Sequence, residues 1–373
     1  MDARGLPPLN DLVEAVPYNM DWPERFRLER ARVLEVLFPF TGPLLVEHVG
    51  STSVPGLSAK PVLDIVAYIE KFPLSGEAID ALGALGYEYR GEAGIPGREF
   101  FRTNPRDRHL HVVGFGNAFF ASHMLFRTYL RAHPDAARRY EALKFELAEP
   151  FRDDRDSYTD AKSPLINELL LEGRAWERDF GPLRWLQTAL SGAPFPWCIA
   201  GGWALELHTG STHRAHEDVD VIVYRHDALE LQTFVRARGW HLEQIVNGRY
   251  APWVDGEAPE DDVTQVHAER PDNAAGYLDF LLTPGTERDW LFRRDERITR
   301  PRVLAERVGL HGILYLAPEI VLLFKSRVAG KDPRGKDQLD FDRTAPLLEP
   351  ESRAWLRDAL ERTSPGHAWL ERL

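Results

Sequence analysis

Asp218 and Asp220 are the residues of this chain best suited to chemistry. They stand two apart in the β-branched run His216-Glu-Asp-Val-Asp-Val-Ile-Val223. Alternate side chains of a strand share a face, so both carboxylates point one way while Val219, Val221 and Val223 point the other. Two adjacent carboxylates repel each other, and a fold keeps them together mainly to hold a divalent cation or a shared proton. Just upstream, Trp197-Cys-Ile-Ala-Gly-Gly-Trp203 is an apolar run that stops at Gly201-Gly202 and passes into a helical stretch over 203–208. A glycine turn at a helix N-terminus offers backbone N–H groups to phosphate. A phosphate cradle beside paired acids points to metal-dependent chemistry on a nucleotide.

Attack of a hydroxyl on the α-phosphorus of a nucleoside triphosphate builds charge on the phosphoryl oxygens and the departing pyrophosphate. Two Mg²⁺ (or Mn²⁺) ions roughly 3.5–4 Å apart clamp the attacking and leaving oxygens in such sites. A third acid is needed to complete the site or to take the hydroxyl proton. Asp279 is the candidate, because it sits in an apolar strand-like run over 277–282, where an unpaired carboxylate is costly. Asp261 and Asp262, in the polar stretch 257–262, read as solvated loop. Arg214, Arg294, Lys325 and Lys336 could neutralise phosphate charge. Lys325 ends an apolar helical run, where it can equally be a lysine snorkelling from a core helix. Lys336 and Asp337 read as an exposed surface pair, His216 as a hydrogen-bonded structural histidine, and Trp203 as core packing.

The elements that position these groups fall in two halves. At 373 residues, 43% of them hydrophobic, the chain is long enough for two domains with separate cores. Pro164 opens a helical run over 165–171, and Gly181-Pro182 punctuates the chain after it, giving expected domains of 1–176 and 177–373. Each half reads as strand, glycine turn, acidic strand, then helix: Leu44-Leu-Val-Glu-His-Val-Gly-Ser51 leads to Asp64, and Gly202 leads to Asp218. The echo implies a repeated α+β fold, each unit a small mixed sheet flanked by helices.

A formal charge of −12 argues against a protein that coats nucleic acid non-specifically, while leaving room for a local basic pocket. The single cysteine, Cys198, rules out an intramolecular disulfide framework and fits a reducing compartment. No cationic stretch followed by an apolar one opens the sequence, and no apolar run reaches membrane-spanning length. The expected location is cytoplasmic, with no membrane partner.

The combination of Gly201-Gly202, Asp218-Val-Asp220, Tyr277-Leu-Asp-Phe280, Phe292-Arg-Arg-Asp295 and Leu316-Ala-Pro-Glu-Ile320 resembles the DNA polymerase β-like nucleotidyltransferases, more narrowly the aminoglycoside adenylyltransferase-like branch. That resemblance implies transfer of a nucleoside monophosphate, AMP from ATP, to a hydroxyl of a small cationic acceptor such as an aminoglycoside. It assigns Asp218, Asp220 and Asp279 to metal and catalysis, and Gly201, Gly202, Arg214, Arg294 and Lys325 to the nucleotide. The acidic stretch with Trp253, Asp255, Glu257, Glu260, Asp261 and Asp262 suits a cationic acceptor and would repel RNA. The alternatives are a toxin-like or regulatory enzyme modifying tRNA or protein, or a nucleotide-binding protein without turnover.

In the first half, Val46-Glu-His-Val-Gly-Ser-Thr-Ser-Val-Pro-Gly-Leu-Ser-Ala-Lys-Pro-Val-Leu-Asp-Ile65 resembles the signature of the GrpB family, itself related to the nucleotidyltransferase fold. Asp64 stands where a first metal carboxylate would be, but Val66 occupies the next same-face position, so the metal site reads as incomplete. His109 and His111 share a strand face and could join a metal site, although two surface histidines are commonly just solvated. Gly50, Ser51, Lys60, Asp64, His111, Arg127, Lys144 and Lys162 together suggest an anion pocket.

Overall fold

The computed structural model describes residues 15–326 and 333–373. The chain separates into two compact units between Trp176 and Glu177, with the segment Pro271–Ala274 grouped with the first.

The first unit runs α1 (Trp22–Thr41), β1 (Leu44–Val49), β2 (Leu63–Ile69), α2 (Gly76–Ala84), β3 (Tyr87–Tyr89), β4 (Arg98–Thr103), β5 (Arg108–Gly114), α3 (Ala118–Ala132), α4 (Pro134–Ala148) and α5 (Arg155–Arg178). Its strands form one sheet, β1-β2-β5-β4-β3, parallel between β2 and β5 and antiparallel elsewhere. β2, Leu-Asp-Ile-Val-Ala-Tyr-Ile, is buried along almost its whole length, as a near-continuous apolar run at a sheet centre must be. Ser75 caps α2 by accepting the Ala78 N–H at 3.2 Å, and Asn117 caps α3 by accepting the Phe119 N–H at 2.8 Å. Pro164, expected from sequence to open a helix, lies inside α5 instead. The residues on both sides continue the helix, and its apolar side (Leu165, Ile166, Leu169, Trp176) packs in a core cluster with Tyr129, Leu130 and Tyr140. Burial of that face outweighs the local preference of proline for a helix start.

The second unit runs α6 (Gly181–Ala189), β6 (Trp197–Ile199), α7 (Gly201–Thr209), β7 (Asp218–Tyr224), α8 (Ala228–Arg236), β8 (His241–Val246), β9 (Arg249–Pro252), β10 (Gln265–Glu269), β11 (Tyr277–Thr283), β12 (Asp289–Leu291), β13 (Thr299–Pro301), α9 (Arg302–Ala305), β14 (Glu306–Val308), β15 (Leu314–Leu316), α10 (Pro318–Lys325), α11 (Gly335–Thr344) and α12 (Pro350–Thr363). Eight strands form its main sheet in the order β14-β15-β6-β7-β11-β10-β8-β9, while β12 and β13 pair separately. Val219, Val221 and Val223 of β7 are buried in one core with α6, α7, α8 and α10. Cys198 belongs to that core, and burial raises its thiol pKa far above the ordinary value.

Both units are mixed sheets flanked by helices, the α+β fold expected from sequence. The echo extends to topology. β1-β2-β5-β4 and β6-β7-β11-β10 repeat one pattern: antiparallel, parallel, antiparallel.

Candidate functional site

Strand register decides what the second-unit acids can do. β7 and β11 run parallel with Asp220 beside Asp279 and Asp218 beside Tyr277. On the other flank the Ala200 N–H donates to the Asp220 backbone carbonyl at 2.8 Å, so the chain turns into α7 directly over the Asp220 side chain. Gly201 has φ +59, and a Cβ there would collide with Asp220 Oδ2. A Cβ on Gly202 would lie 2.7 Å from His216 Nδ1 and would also strike the Arg214 guanidinium. The glycine pair is therefore what lets backbone N–H groups approach the carboxylates. α7 starts at Ala200 without a side-chain cap.

A cleft of about 390 Å³ has Gly201, Gly202, Asp218 and Asp220 in its wall, with Arg293 and Arg294 among its other lining residues. Burial, then the charges of Asp218 and Asp279, push Asp220 well above the usual carboxylate range against the pull of Lys325 and Lys336. Asp279 is 2% exposed. One of its oxygens lies 3.2 Å from His267 Nδ1 and the other accepts from the Gln265 amide. Burial raises its pKa too, partly offset by those hydrogen bonds. Among the described residues no three carboxylate, imidazole or thiolate groups cage an ion by themselves. Two carboxylates that repel each other at a phosphate-sized cleft nonetheless fit Mg²⁺, which takes one or two protein carboxylates and completes its shell with phosphate oxygens and water.

The cations sort differently from the sequence reading. Lys325 Nζ lies 3.0 Å from Asp337 and 2.8 Å from Asp340. Arg214 reaches Asp340 at 3.3 Å, and Arg334 reaches Asp337 at 2.6 Å. Arg214 and Lys325 line the cleft, yet their charges are already matched by α11. Asp337, expected at the surface, is fully buried, because α11 turns it inward onto the end of α10. Lys336 pairs instead with Glu217 at 3.1 Å. Arg294 and its neighbour Arg293 are held differently, with the charge of Asp220 attracting Arg293. Each guanidinium sits 5.5 Å from the Phe324 ring centroid, and neither makes an ion pair among the described residues. Partial burial lowers both pKa values, with the charge of Arg293 adding to the effect on Arg294. Arg293 was missed from sequence although it stands in the same Phe-Arg-Arg-Asp word.

Two further residues have structural roles. His216 Nε2 lies 3.1 Å from Glu206 and its ring stacks on Trp203 at 4.3 Å. Trp253 is buried, with its Nε1–H donated to the Glu257 carbonyl at 2.9 Å, and so is not part of an aromatic acceptor surface. Asp255, Glu257, Glu260, Asp261 and Asp262 are all exposed, and Asp255 pairs with Arg236.

The first unit has its own cleft, about 210 Å³, lined by Gly50, Ser51, Lys60, Asp64, Lys144 and Lys162 among others. Val49 is the register partner of Asp64, and a Cβ on Gly50 would lie 2.6 Å from Asp64 Oδ2. Ala200, Gly201 and Asp220 repeat that relation, so Asp64 matches Asp220, the second acid, rather than the first. The position of Asp218 is then held by Val62, and His109, beside Asp64 in the parallel pair, stands where Asp279 does. The two histidines are buried rather than solvated. His109 Nδ1 lies 2.8 Å from Asp64, and its Nε2 accepts from Arg106 at 3.2 Å, so both ring nitrogens are committed. His111 pairs with Arg98 at 3.2 Å and does not line the cleft; burial lowers its pKa to about 4 against the pull of Asp64. Burial opposes ionisation of Asp64, but the bonds to His109 and His111 prevail and hold its pKa well below the usual range. Arg127 lies outside the pocket, in a buried pair with Glu47 at 2.6 Å.

The repeated topology gives two similar α+β units, one whose cleft carries an acid pair and one whose cleft does not. Residues 12–172 match the sequence profile described as GrpB protein. Residues 183–249 match that described as aminoglycoside-2''-adenylyltransferase. The chain is 41% identical over 158 residues to a UPF0157 protein of Streptomyces coelicolor, covering 42% of this chain and 81% of that one. It is 34% identical over 168 residues to the UPF0157 protein YqkA of Bacillus subtilis, covering 44% of this chain and 48%, about half, of that relative. The solved structure of the antibiotic-resistance factor ANT(2'')-Ia matches at 17% identity and a TM-score of 0.34, covering 48% of this chain and 90% of that one. Through its first unit the chain belongs to the GrpB family, and its second unit is similar to aminoglycoside adenylyltransferases. No helix among the described residues is long and apolar enough to cross a membrane.

Proposed function

We propose that the second unit transfers a nucleoside monophosphate, AMP from ATP, to a hydroxyl of a small cationic acceptor of the aminoglycoside class. The observation that carries this reading is the Asp218–Asp220 pair, sharing one cleft with the Gly201-Gly202 turn and with Arg293 and Arg294, which make no ion pair among the described residues. Mg²⁺ or Mn²⁺, held by Asp218 and Asp220 with Asp279 completing the site, would supply charge neutralisation at the reacting phosphoryl group. The acceptor oxygen forms a bond to the α-phosphorus while the bond from that phosphorus to pyrophosphate oxygen breaks. The hydroxyl proton passes to Asp279, beside Asp220 on the neighbouring strand, once its carboxylate gives up the Gln265 contact; burial makes it more basic. Arg293 and Arg294 receive the charge that builds on pyrophosphate. N–H groups at the start of α7 orient the triphosphate. Lys325 and Arg214 hold α11 against the cleft. The match to the profile described as aminoglycoside-2''-adenylyltransferase supports an adenylyl donor and this acceptor class; the exposed acids Glu257, Glu260, Asp261 and Asp262 agree with a cationic acceptor through salt-dependent steering. Pyrophosphate release from each NTP against a panel of aminoglycosides tests the proposal. Absence of release with every acceptor, by protein shown to bind ATP, would leave the site a nucleotide sensor.

A further inference from the structure

The first-unit cleft is a different chemical object from the one just described. Its walls bring three ammonium groups, Lys60, Lys144 and Lys162, from three separated stretches of chain around one carboxylate, Asp64. That carboxylate is already answered by His109 and His111. Among the described residues the lining carries three ammonium groups against that one carboxylate, in a chain whose formal charge is −12. Such a pocket concentrates anions against the field of the whole molecule.

The lysines are positioned by packing rather than scattered. Lys144 is 4% exposed; its Nζ donates to the Ser58 carbonyl and lies 5.0 Å from the centroid of the Tyr140 ring. Lys162 stands 4.1 Å from the centroid of the Tyr158 ring. Both tyrosines line the cleft, and Ser51 and Thr52 add hydroxyl groups from the turn that follows β1. Glu141 attracts the Lys144 ammonium from its own helix, and a bound dianion would add charge-assisted hydrogen bonds inside the cleft.

We propose that the first unit binds a phosphate monoester with a small organic group, gripped by Lys60, Lys144 and Lys162, and does not transfer it. The limit on size comes from the volume. About 210 Å³ is below the roughly 300–1,000 Å³ of pockets that enclose drug-sized ligands, so the cleft suits a ligand smaller than a nucleoside triphosphate. The lack of transfer comes from register. Val62 replaces the first acid of the other unit, and His109, with both nitrogens engaged, replaces the third.

The test uses the full chain and calorimetric titration with ribose 5-phosphate, phenyl phosphate, inorganic phosphate and ATP. A monoester should bind at least ten-fold more tightly than inorganic phosphate. Lys162→Gln and Lys144→Gln should each weaken it ten-fold or more, while Arg293→Gln, in the other unit, leaves it unchanged. In unaltered protein, the monoester should also protect Lys60, Lys144 and Lys162 from an amine-acylating reagent, read by mass spectrometry; this needs no variant to fold. Monoester binding that survives both lysine substitutions, or acylation of all three lysines at the same rate with and without ligand, would overturn the proposal. Equal affinity for phosphate and the monoesters would overturn the organic subsite.

Discussion

Asp220 carries the heaviest load of any single residue, and its pKa direction makes that testable. A carboxyl raised in the folded state is neutral without penalty below its unfolded pKa, and stability is lost progressively as pH rises from there through the folded pKa. Asp220→Asn should therefore stabilise the protein at pH 8, by about 1 kcal/mol or roughly 2–4 °C in Tm, with the gain fading toward pH 4. Mn²⁺ should raise the melting temperature of the unaltered protein and not that of the variant; equal shifts would move the metal elsewhere. Gly201→Ala should lose activity and about 1–2 kcal/mol of stability, because φ is +59 and its Cβ meets Asp220. The Lys144 ammonium sets a second pH dependence. Burial first, then Lys162, lower its pKa to about 7 against the pull of Glu141. It is charged at pH 6 and neutral at pH 8, so monoester binding in the first unit should weaken across that interval. Calorimetry at the two pH values checks the sign, and tighter binding at pH 8 would contradict it.

At the scale of elements, the meeting of α10 and α11 separates holding from catalysis. Lys325 joins Asp337 and Asp340, which also bind Arg334 and Arg214. Breaking a buried pair outright costs about 3–5 kcal/mol; with the two arginines left in place, Lys325→Met should cost on the order of 2 kcal/mol. Arg294→Gln should leave stability unchanged and raise the KM for NTP about ten-fold or more, the loss of a charged hydrogen bond. Thermal melts and initial rates on the two variants distinguish the roles; matching stability losses would contradict the division. The sequence made the acids legible because period-two alternation in a β-branched run places Asp218 and Asp220 on one face. It did not show that Asp337 is buried, because its partner Lys325 lies twelve positions away across residues without strong periodicity. Nor could it show that Asp64 corresponds to Asp220, since that follows from which residue pairs with Val49 and Ala200 across strands. Local propensity misplaced the start of α5, where packing of an apolar face overrides Pro164.

Across the whole molecule, one topology occurs twice with different side chains at equivalent places. The acids of the second unit become Val62, Asp64 and His109 in the first, turning a repelling carboxylate cluster into a single compensated charge beside lysines. The recurrence of strand, glycine turn and acidic strand was visible in the sequence; the change of chemistry between the halves was legible only in part, because the first-unit cleft is lined by residues as far apart as Gly50 and Lys162. Two sites of different character should be separable by lesions in the same full-length chain. The direct measurement is Mg²⁺-dependent pyrophosphate release from ATP in the presence of an aminoglycoside, comparing the unaltered protein with Asp218→Asn, Asp220→Asn and Asp64→Asn. The account predicts release that falls at least a hundred-fold, about 2.7 kcal/mol, in the first two variants and persists in the third. Release retained in Asp220→Asn, or lost only in Asp64→Asn, would contradict it.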